Sequence, residues 1–391
     1  MSNQVRTTTR PAGDTVHAER LLGDLDTLAS FGGRPDGGVD RVAGSAADRE
    51  ARAWLARRIE HAGLHAYTDK IGNVFGRTHA GPGPWLLVGS HTDTVPAGGR
   101  LDGALGVLAA LEALRTLHES GHPAADLIEI VSFWDEEGAS PDSPGGLIGS
   151  TALCASEHIR QISGYLELHI EQGPRLENSG LELAAVDGIV GIDRYRIEVC
   201  GAANHAGTTP MDARSDAARG AARVLAGVRA VALGLDPGMV ANVGCLELRP
   251  GSPNVIPGAA TMVVEFRAGG EESLAGAGAE LGALVTRIVG EERCTATIER
   301  ISHKPVTRFD PHLCDLVEAA CSRTSPLTVR LMSYAGHDAS VLSGHVPTGM
   351  LFVPSTGGIS HAPQESTPDR LLVQGCQALY NTIADHYHAL S

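Results

Sequence analysis

Three histidines and several acids stand where this chain could hold metal ions or move a proton. His91, Asp93 and Asp102 lie in "GSHTDTVPAGGRLDG", residues 89–103. Glu136 and Glu137 follow Asp135 in "DEEG", His169 precedes Glu171 and Gln172 in "LELHIEQG", and His361 sits in the glycine-rich "STGGISHAPQE". Each alone has an ordinary reading: Asp102 as a helix N-cap, the acids as a solvated strand end, His169 as a core histidine. Together, His91, Asp102, Glu137, His169 and His361 supply three imidazoles and two carboxylates without a thiolate. That nitrogen and oxygen donor set suits Zn²⁺, Mn²⁺, Co²⁺ or Ni²⁺ in a hydrolytic site. Five ligands exceed the needs of one open catalytic metal; with one carboxylate shared they serve two, about 3.5 to 4 Å apart. Asp93 is then placed to accept the second N–H of His91. Glu136, beside a ligand yet not needed as one, is the natural general base.

These residues need elements that bring them together. "PWLLVGS" reads as a buried strand ending at Gly89, and "LDGALGVLAALEALRTLHES" as a helix with Asp102 just ahead of it. "DLIEIVSFWDEEG" and "GYLELHIEQG" read as further strands, with helices between. This alternation implies a mostly parallel sheet covered on both faces, with ligands at the ends of its strands. Near residue 193 the rhythm changes. "RYRIEVC", a long helix, "MVANVGCLEL", "ATMVVEFRA", a second helix and "CTATIERI" give the order βαββαβ, a split unit that makes a small open-faced sandwich. The expected organisation is an α/β catalytic domain in two parts, residues 1–192 and 306–391, with a ferredoxin-like module at 193–305 inserted between them.

Composition narrows the function classes. A net charge of −15 argues against nucleic acid, whose phosphates call for clustered Lys and Arg. No apolar run approaches a membrane span, and the N-terminus lacks a secretory apolar core. Residues 1–16 are expected to be a disordered tail. Seven cysteines without a CxxC pair indicate neither a disulfide framework nor a thiolate zinc site. The expectation is a reduced, cytoplasmic protein without membrane or nucleic-acid partners.

Seven motifs, in order, carry a resemblance: "GSHTDTVPAGGRLDGALGV", "DEEG", "LELHIEQGP", "GAANHAGTTPMDARSDA", "NVIPG", "GHDA" and "GGISHAPQE". From about residue 17 to its end the chain resembles the carbamoylase branch of the dinuclear zinc aminoacylase/carboxypeptidase superfamily. That branch holds N-carbamoyl-L-amino-acid hydrolases, allantoate amidohydrolases and beta-ureidopropionases. The resemblance implies two divalent ions per chain, zinc first among the candidates, bridged by Asp102. His91 and His169 would bind one ion, Glu137 and His361 the other. It implies a homodimer whose inserted module is lid and dimerisation domain, with His205 reaching the partner's site to polarise the scissile carbonyl. Asn254 and Arg267 match positions that grip a substrate carboxylate, for which a guanidinium fork is suited. Gln172 matches a contact to the ureido end, while His337 and Asp338 face the site without an assigned role.

The activity implied is hydrolysis of the ureido C–N bond of an N-carbamoyl-L-amino acid to amino acid, CO₂ and ammonia. An N-acyl amino-acid deacylase, a dipeptidase or an allantoate-type enzyme would use the same machinery. A non-catalytic binding protein on this fold would have lost a ligand or the base, and none is lost. The chain departs from the branch in three places. Residues 139–148 replace the usual Arg-Phe segment, Glu265 stands for an Asp, and "SYAGHDA" replaces "SGAGHDA". No predicted ligand is touched, so these departures bear on the choice of substrate.

Overall fold

A computed structural model describes residues 15–78 and 83–390. The chain forms two compact units. One runs to Gly188 and resumes at Arg308; the other is Ile189–Thr307. The inserted unit is thus wider than the expected 193–305. Its first and last strands in chain order, Gly191–Cys200 and Thr295–Lys304, run past the segments whose alternation marks them.

In the outer unit, α1 (Ala18–Ser30) and α2 (Ala46–His61) precede a hairpin of β1 (His65–Thr68) and β2 (Val74–Arg77). Then come β3 (Trp85–His91), α3 (Ala104–Glu119), β4 (Ile128–Phe133), β5 (Ile162–Ile170) and β6 (Leu183–Ile189). The sheet runs β1-β2-β4-β3-β5, then strand Thr348–Val353, then β6. Its centre is parallel: β3 pairs β4 and β5, and β5 pairs Thr348–Val353, while the margins are antiparallel. β3, β4 and Thr348–Val353 are buried along their whole length. Such strands read as continuous apolar runs because helices cover both faces. The helix α3 is buried from Ala104 to Thr116 and beyond, lying between sheet strands and the helices α1 and Asp369–Leu390. This accounts for its apolar residues on every side. The pair Glu112 and Arg20 (2.8 Å) satisfies one acid buried there.

Residues 1–14 of the expected disordered tail lie outside the described residues. The prediction fails at its other end, since Val16 is buried and its N–H donates to Gln377 Oε1 (3.1 Å).

The inserted unit follows the βαββαβ order. Its antiparallel sheet places Thr295–Lys304, Gly191–Cys200, Ala259–Ala268 and Val240–Arg249 side by side in that sequence. Tyr195, Ile197 and Val199, with Ala260, Met262, Val264 and Phe266, form its core with the helices Ala217–Leu235 and Glu271–Glu291. Intervening residues such as Arg194, Arg196 and Glu198 alternate with them and stay in contact with solvent, as the period of two requires.

Candidate metal centre and active site

The four parallel central strands deliver the candidate ligands at their C-terminal ends. His91 is the last residue of β3, Glu136 and Glu137 follow β4, His169 is the penultimate residue of β5, and His361 lies in the loop after Thr348–Val353. Asp102 approaches from the loop before α3. It is not the N-cap: that position is Gly103. Gly103 sits at φ +63°, and a Cβ there would lie 2.4 Å from the His91 ring. Only glycine lets the backbone pass this close to the imidazole.

All three imidazoles turn Nε2 toward Asp102. His169 Nε2 lies 3.1 Å and His91 Nε2 3.7 Å from Oδ1, while His361 Nε2 lies 3.1 Å from Oδ2. Asp102 therefore offers one oxygen to each half of the centre. Glu137 Oε2 is 3.4 Å from His361 Nε2, and Glu136 Oε2 is 3.6 Å from His91 Nε2. Ligand atoms of His91, Asp102 and His169 lie within 4.8 Å of one another, as do those of Asp102, Glu137 and His361, and those of His91, Glu136 and Glu137.

The donor set fits divalent cations on the evidence of its own hydrogen bonds. His91 Nδ1 lies 3.1 Å from the Asp93 carbonyl oxygen and His169 Nδ1 2.8 Å from that of Ile170. A carbonyl only accepts, so both Nδ1 atoms carry a proton and both Nε2 atoms turn to the centre, where each offers a lone pair to a metal once its own proton leaves. Gln172, held at φ +57°, donates through Nε2 to Asp102 Oδ2 (2.7 Å), and its Oε1 is buried without a protein partner. An orphaned acceptor at this point marks a place for a further group.

Asp93 faces His91 as expected and does more. Its carboxylate is 3.6 Å from His91 Nδ1 and its carbonyl oxygen 3.1 Å. That carboxylate also accepts the backbone N–H groups of Glu136 (3.3 Å) and Glu137 (3.2 Å), so it fixes the turn carrying the paired acids. The atypical segment returns to the same turn: the N–H of Leu147 donates to the Glu136 carbonyl (3.0 Å).

Electrostatics distinguish the two glutamates. Burial pushes the Glu136 carboxyl well above its usual range; Asp338 and Glu137 add repulsion, and His91 opposes them. Burial, with the charge of Asp102, lifts Glu137 to about 7. The hydrogen bond to Asp102 lifts His361 to about 9, aided by the charges of Glu137 and Asp102.

Two groups of residues went unassigned in the sequence. His337 packs edge-on against His169, ring centroids 4.5 Å apart, with Nε2 2.9 Å from Ser333 Oγ. Burial keeps this imidazole neutral, and proximity to His169 reinforces it. Glu167, from β5, accepts from Ser90 Oγ (2.7 Å) and the N–H of Ala339 (3.2 Å), which ties Asp338 and its short helix to β3. The second group is Glu365 with Ser360, flanking His361. An acid four residues after a candidate ligand, in a glycine-rich loop, was the available signal.

The remaining predicted residues lie in the inserted unit. His205 is exposed; its Nδ1 accepts the N–H groups of Gly207 (3.0 Å) and Thr208 (3.2 Å), so Nε2 carries the proton as a donor. Asn254 is beside it, for its carbonyl accepts the Ala206 N–H (3.0 Å) and Val255 pairs with His205. Arg267 lies near the far end of Ala259–Ala268, and its Nε donates to Glu265 Oε1 (2.7 Å).

A parallel α/β sheet with imidazole and carboxylate donors converging at its strand ends is the arrangement of a hydrolase site that could hold metal ions. The comparisons agree, and the chain belongs to Peptidase family M20/M25/M40, whose profile matches residues 87–385. It is 33% identical to an N-carbamoyl-L-amino acid amidohydrolase of Geobacillus stearothermophilus over 94% of this chain and 98% of that one. It is 31% identical to the allantoate amidohydrolase of Bacillus subtilis, over 91% of this chain and 94% of that one. Among solved structures, an amidase of the hydantoinase/carbamoylase family from Burkholderia phymatum superposes with a TM-score of 0.87 at 34% identity, covering 97% of this chain and 99% of that one. These relatives are hydrolases of linear amide-type C–N bonds, and this chain is one.

Proposed function

We propose that the chain hydrolyses the ureido C–N bond of an N-carbamoyl-L-amino acid, with two divalent metal ions that Asp102 would help to hold. The observation that carries this reading is the division of Asp102: one oxygen faces His91 and His169, the other faces His361 with Glu137 behind it. His91 and His169 would hold one ion, Glu137 and His361 the other, with zinc the first candidate and Mn²⁺, Co²⁺ or Ni²⁺ its alternates. The ions supply Lewis acidity, which lowers the pKa of water and polarises the carbonyl. Glu136, buried and raised in pKa, takes the proton of the attacking water and returns it to the leaving nitrogen. Gln172 orients the ureido end. His205 donates through Nε2–H to the carbonyl oxygen as charge develops there, and Asn254 and Arg267 hold the carboxylate.

The reading includes a homodimer. Cys200 pairs with Ala259, and His205 follows it at that end of the sheet, whereas Arg267 pairs with Ile192 near the other. At about 3.3 Å per residue the two ends are roughly 26 Å apart, several times the span of a small amino-acid derivative. This separation supports a reading in which His205 and Arg267 act at different sites, His205 at a partner's, as two-fold symmetry allows. The sheet also ends in the long edge strand Val240–Arg249, where Val240, Leu246 and Leu248 are exposed, near exposed Leu225, Leu233 and Leu235 on Ala217–Leu235. Such an edge calls for a covering partner.

The test is ammonia release from a panel of N-carbamoyl-L-amino acids, allantoate and N-acyl amino acids. The purified protein should carry two transition-metal ions per chain, lose activity on chelation and regain it with Zn²⁺, Mn²⁺, Co²⁺ or Ni²⁺. Turnover of N-acyl substrates without ammonia release would replace the ureido assignment, and full activity in metal-free protein would end the metal reading.

A further inference from the structure

Glu365 is an acid whose burial calls for a reason. It is 5% exposed, and its carboxylate is fully engaged. Oε1 accepts the consecutive backbone N–H groups of Leu101 (2.9 Å) and Asp102 (3.0 Å). Oε2 accepts from Ser360 Oγ (2.8 Å), and that same hydroxyl lies 3.2 Å from Asp102 Oδ2. Ser360 immediately precedes His361. One carboxylate thus touches the backbone that carries Asp102, the hydroxyl beside the Asp102 side chain, and the loop that carries His361.

The sequence makes room for this contact at a specific place. A Cβ on Gly99 would sit 2.0 Å from the Glu365 carboxyl carbon, so the second glycine of "AGGRLDG" is where the acid enters. Glu365 is not a ligand itself. Among the described residues it joins none of the groups whose donor atoms lie within 4.8 Å of one another, and both its oxygens already accept from N–H or O–H donors.

We propose that Glu365 is the positioning residue of the metal centre: through Ser360 and the Leu101–Asp102 backbone it sets the shared carboxylate and the His361 loop in register, so that both halves are formed before metal arrives. This rests on the two-metal reading above. The physical need is clear from the crowding of acids. Asp102, Glu136 and Glu137 stand together around His91 and His361, and mutual repulsion would turn Asp102 aside unless its backbone and side chain were held. Groups that orient a metal's ligands without binding it are worth about 10- to 100-fold in metal affinity.

The test uses the full chain stripped of metal and titrated with Co²⁺, read by bound ion per chain and by the visible absorption of the Co²⁺ centre. Glu365→Ala should weaken Co²⁺ binding by about 10- to 100-fold and change the spectrum, because Asp102 is no longer oriented. Glu365→Gln should restore most of the affinity: its amide oxygen can accept both N–H groups, while its NH₂ donates to Ser360 and leaves that hydroxyl to Asp102. Ser360→Ala keeps the backbone contacts and loses the link between loops, so it should fall between Glu365→Ala and wild type. A folded Glu365→Ala protein with wild-type affinity and spectrum overturns the proposal. If that variant does not fold, Ser360→Ala decides, and wild-type binding there overturns it equally. Wild-type protein that takes up no Co²⁺ overturns the two-metal reading and this proposal with it; uptake by wild type with unchanged variants overturns this proposal alone.

Discussion

The outer unit and the inserted module hold their chemical residues in opposite ways. In the outer unit, His91, Asp102 and His169 are buried, and each has fixed hydrogen-bond partners. In the module, His205 and Asn254 are exposed on two turn-rich segments, and the His205 ring accepts two adjacent backbone N–H groups. The difference teaches what each part is prepared for. A buried set of acids and imidazoles is tolerable only when every group is paired, so the outer centre is built to hold cations in one arrangement. An exposed imidazole on a loop suits the proposed donor, which would meet its target after a movement or across an interface.

The comparison breaks most sharply at the paired glutamates. Glu136→Gln should leave metal content intact and lower kcat by roughly 10²- to 10⁴-fold, because the proton carrier is lost while the ligand set survives. Glu137→Gln should instead lose metal from one half of the centre. Elemental analysis alongside kcat separates them; equal metal loss in both variants would reverse the assignment.

The module's donor is next in size. Removing one donor to a developing oxyanion costs on the order of 10²- to 10³-fold, so His205→Ala should fall by that amount with unchanged metal content. Whether it acts across a dimer is answered by mixing Glu136→Gln and His205→Ala chains under subunit exchange. A mixed dimer has one site with both defects and one with neither, so random mixing should recover roughly a quarter of wild-type activity. Proven exchange without recovery would place His205 at its own chain's site or at none.

Arg267 sharpens the same contrast at smaller cost. Arg267→Ala should raise KM for free-acid substrates about 10- to 100-fold, and Arg267→Lys should recover only part, since a point charge does not replace the fork. An alanine variant that still prefers free acids to their amides would remove Arg267 from the site.

How far the sequence disclosed the site follows the same division. The convergence of the five candidate ligands was legible because residue types with few other reasons to recur at strand ends recurred there, and the apolar runs "WLLVGS" and "LIEIVSF" placed those ends. The βαββαβ order was legible from period-two alternation on one face of each module strand. What stayed hidden depends on distances between loops. That the Asp93 carboxylate serves the Glu136 and Glu137 amides while its carbonyl serves His91 is a matter of ångströms. Glu365 and Gly99 are 266 positions apart, and nothing in either local pattern announces that one makes room for the other. The reading of His205, Asn254 and Arg267 came from resemblance, because exposed loop residues leave no periodic trace.

The smallest effect expected is a pH dependence of metal affinity confined to the outer centre. A metal requires neutral imidazole and ionised carboxylate, so each proton held by a ligand must leave on binding. The hydrogen bond to Asp102 holds His361 up to about 9, and burial holds Glu137 up to about 7. Both shifts have the same sign for this purpose: they raise the proton's claim on the site. Between about pH 7 and 9 the His361 proton competes, joined by protons that the surrounding carboxylates hold on His91 and His169 against the effect of burial, and affinity should climb by at least about tenfold per pH unit. Below about 7 the Glu137 proton joins, and the climb should steepen. Competition with a chromophoric chelator from pH 6 to 10 measures the slope, and calorimetry in buffers of different ionisation enthalpy counts the protons released. Glu137→Gln should remove the steeper limb, because the carboxyl that takes up that proton is gone and the half it shares with His361 no longer holds metal. A flat profile in wild type would mean that the ligands stand already deprotonated, and that Asp102 does not hold the His361 proton in the way its 3.1 Å contact implies.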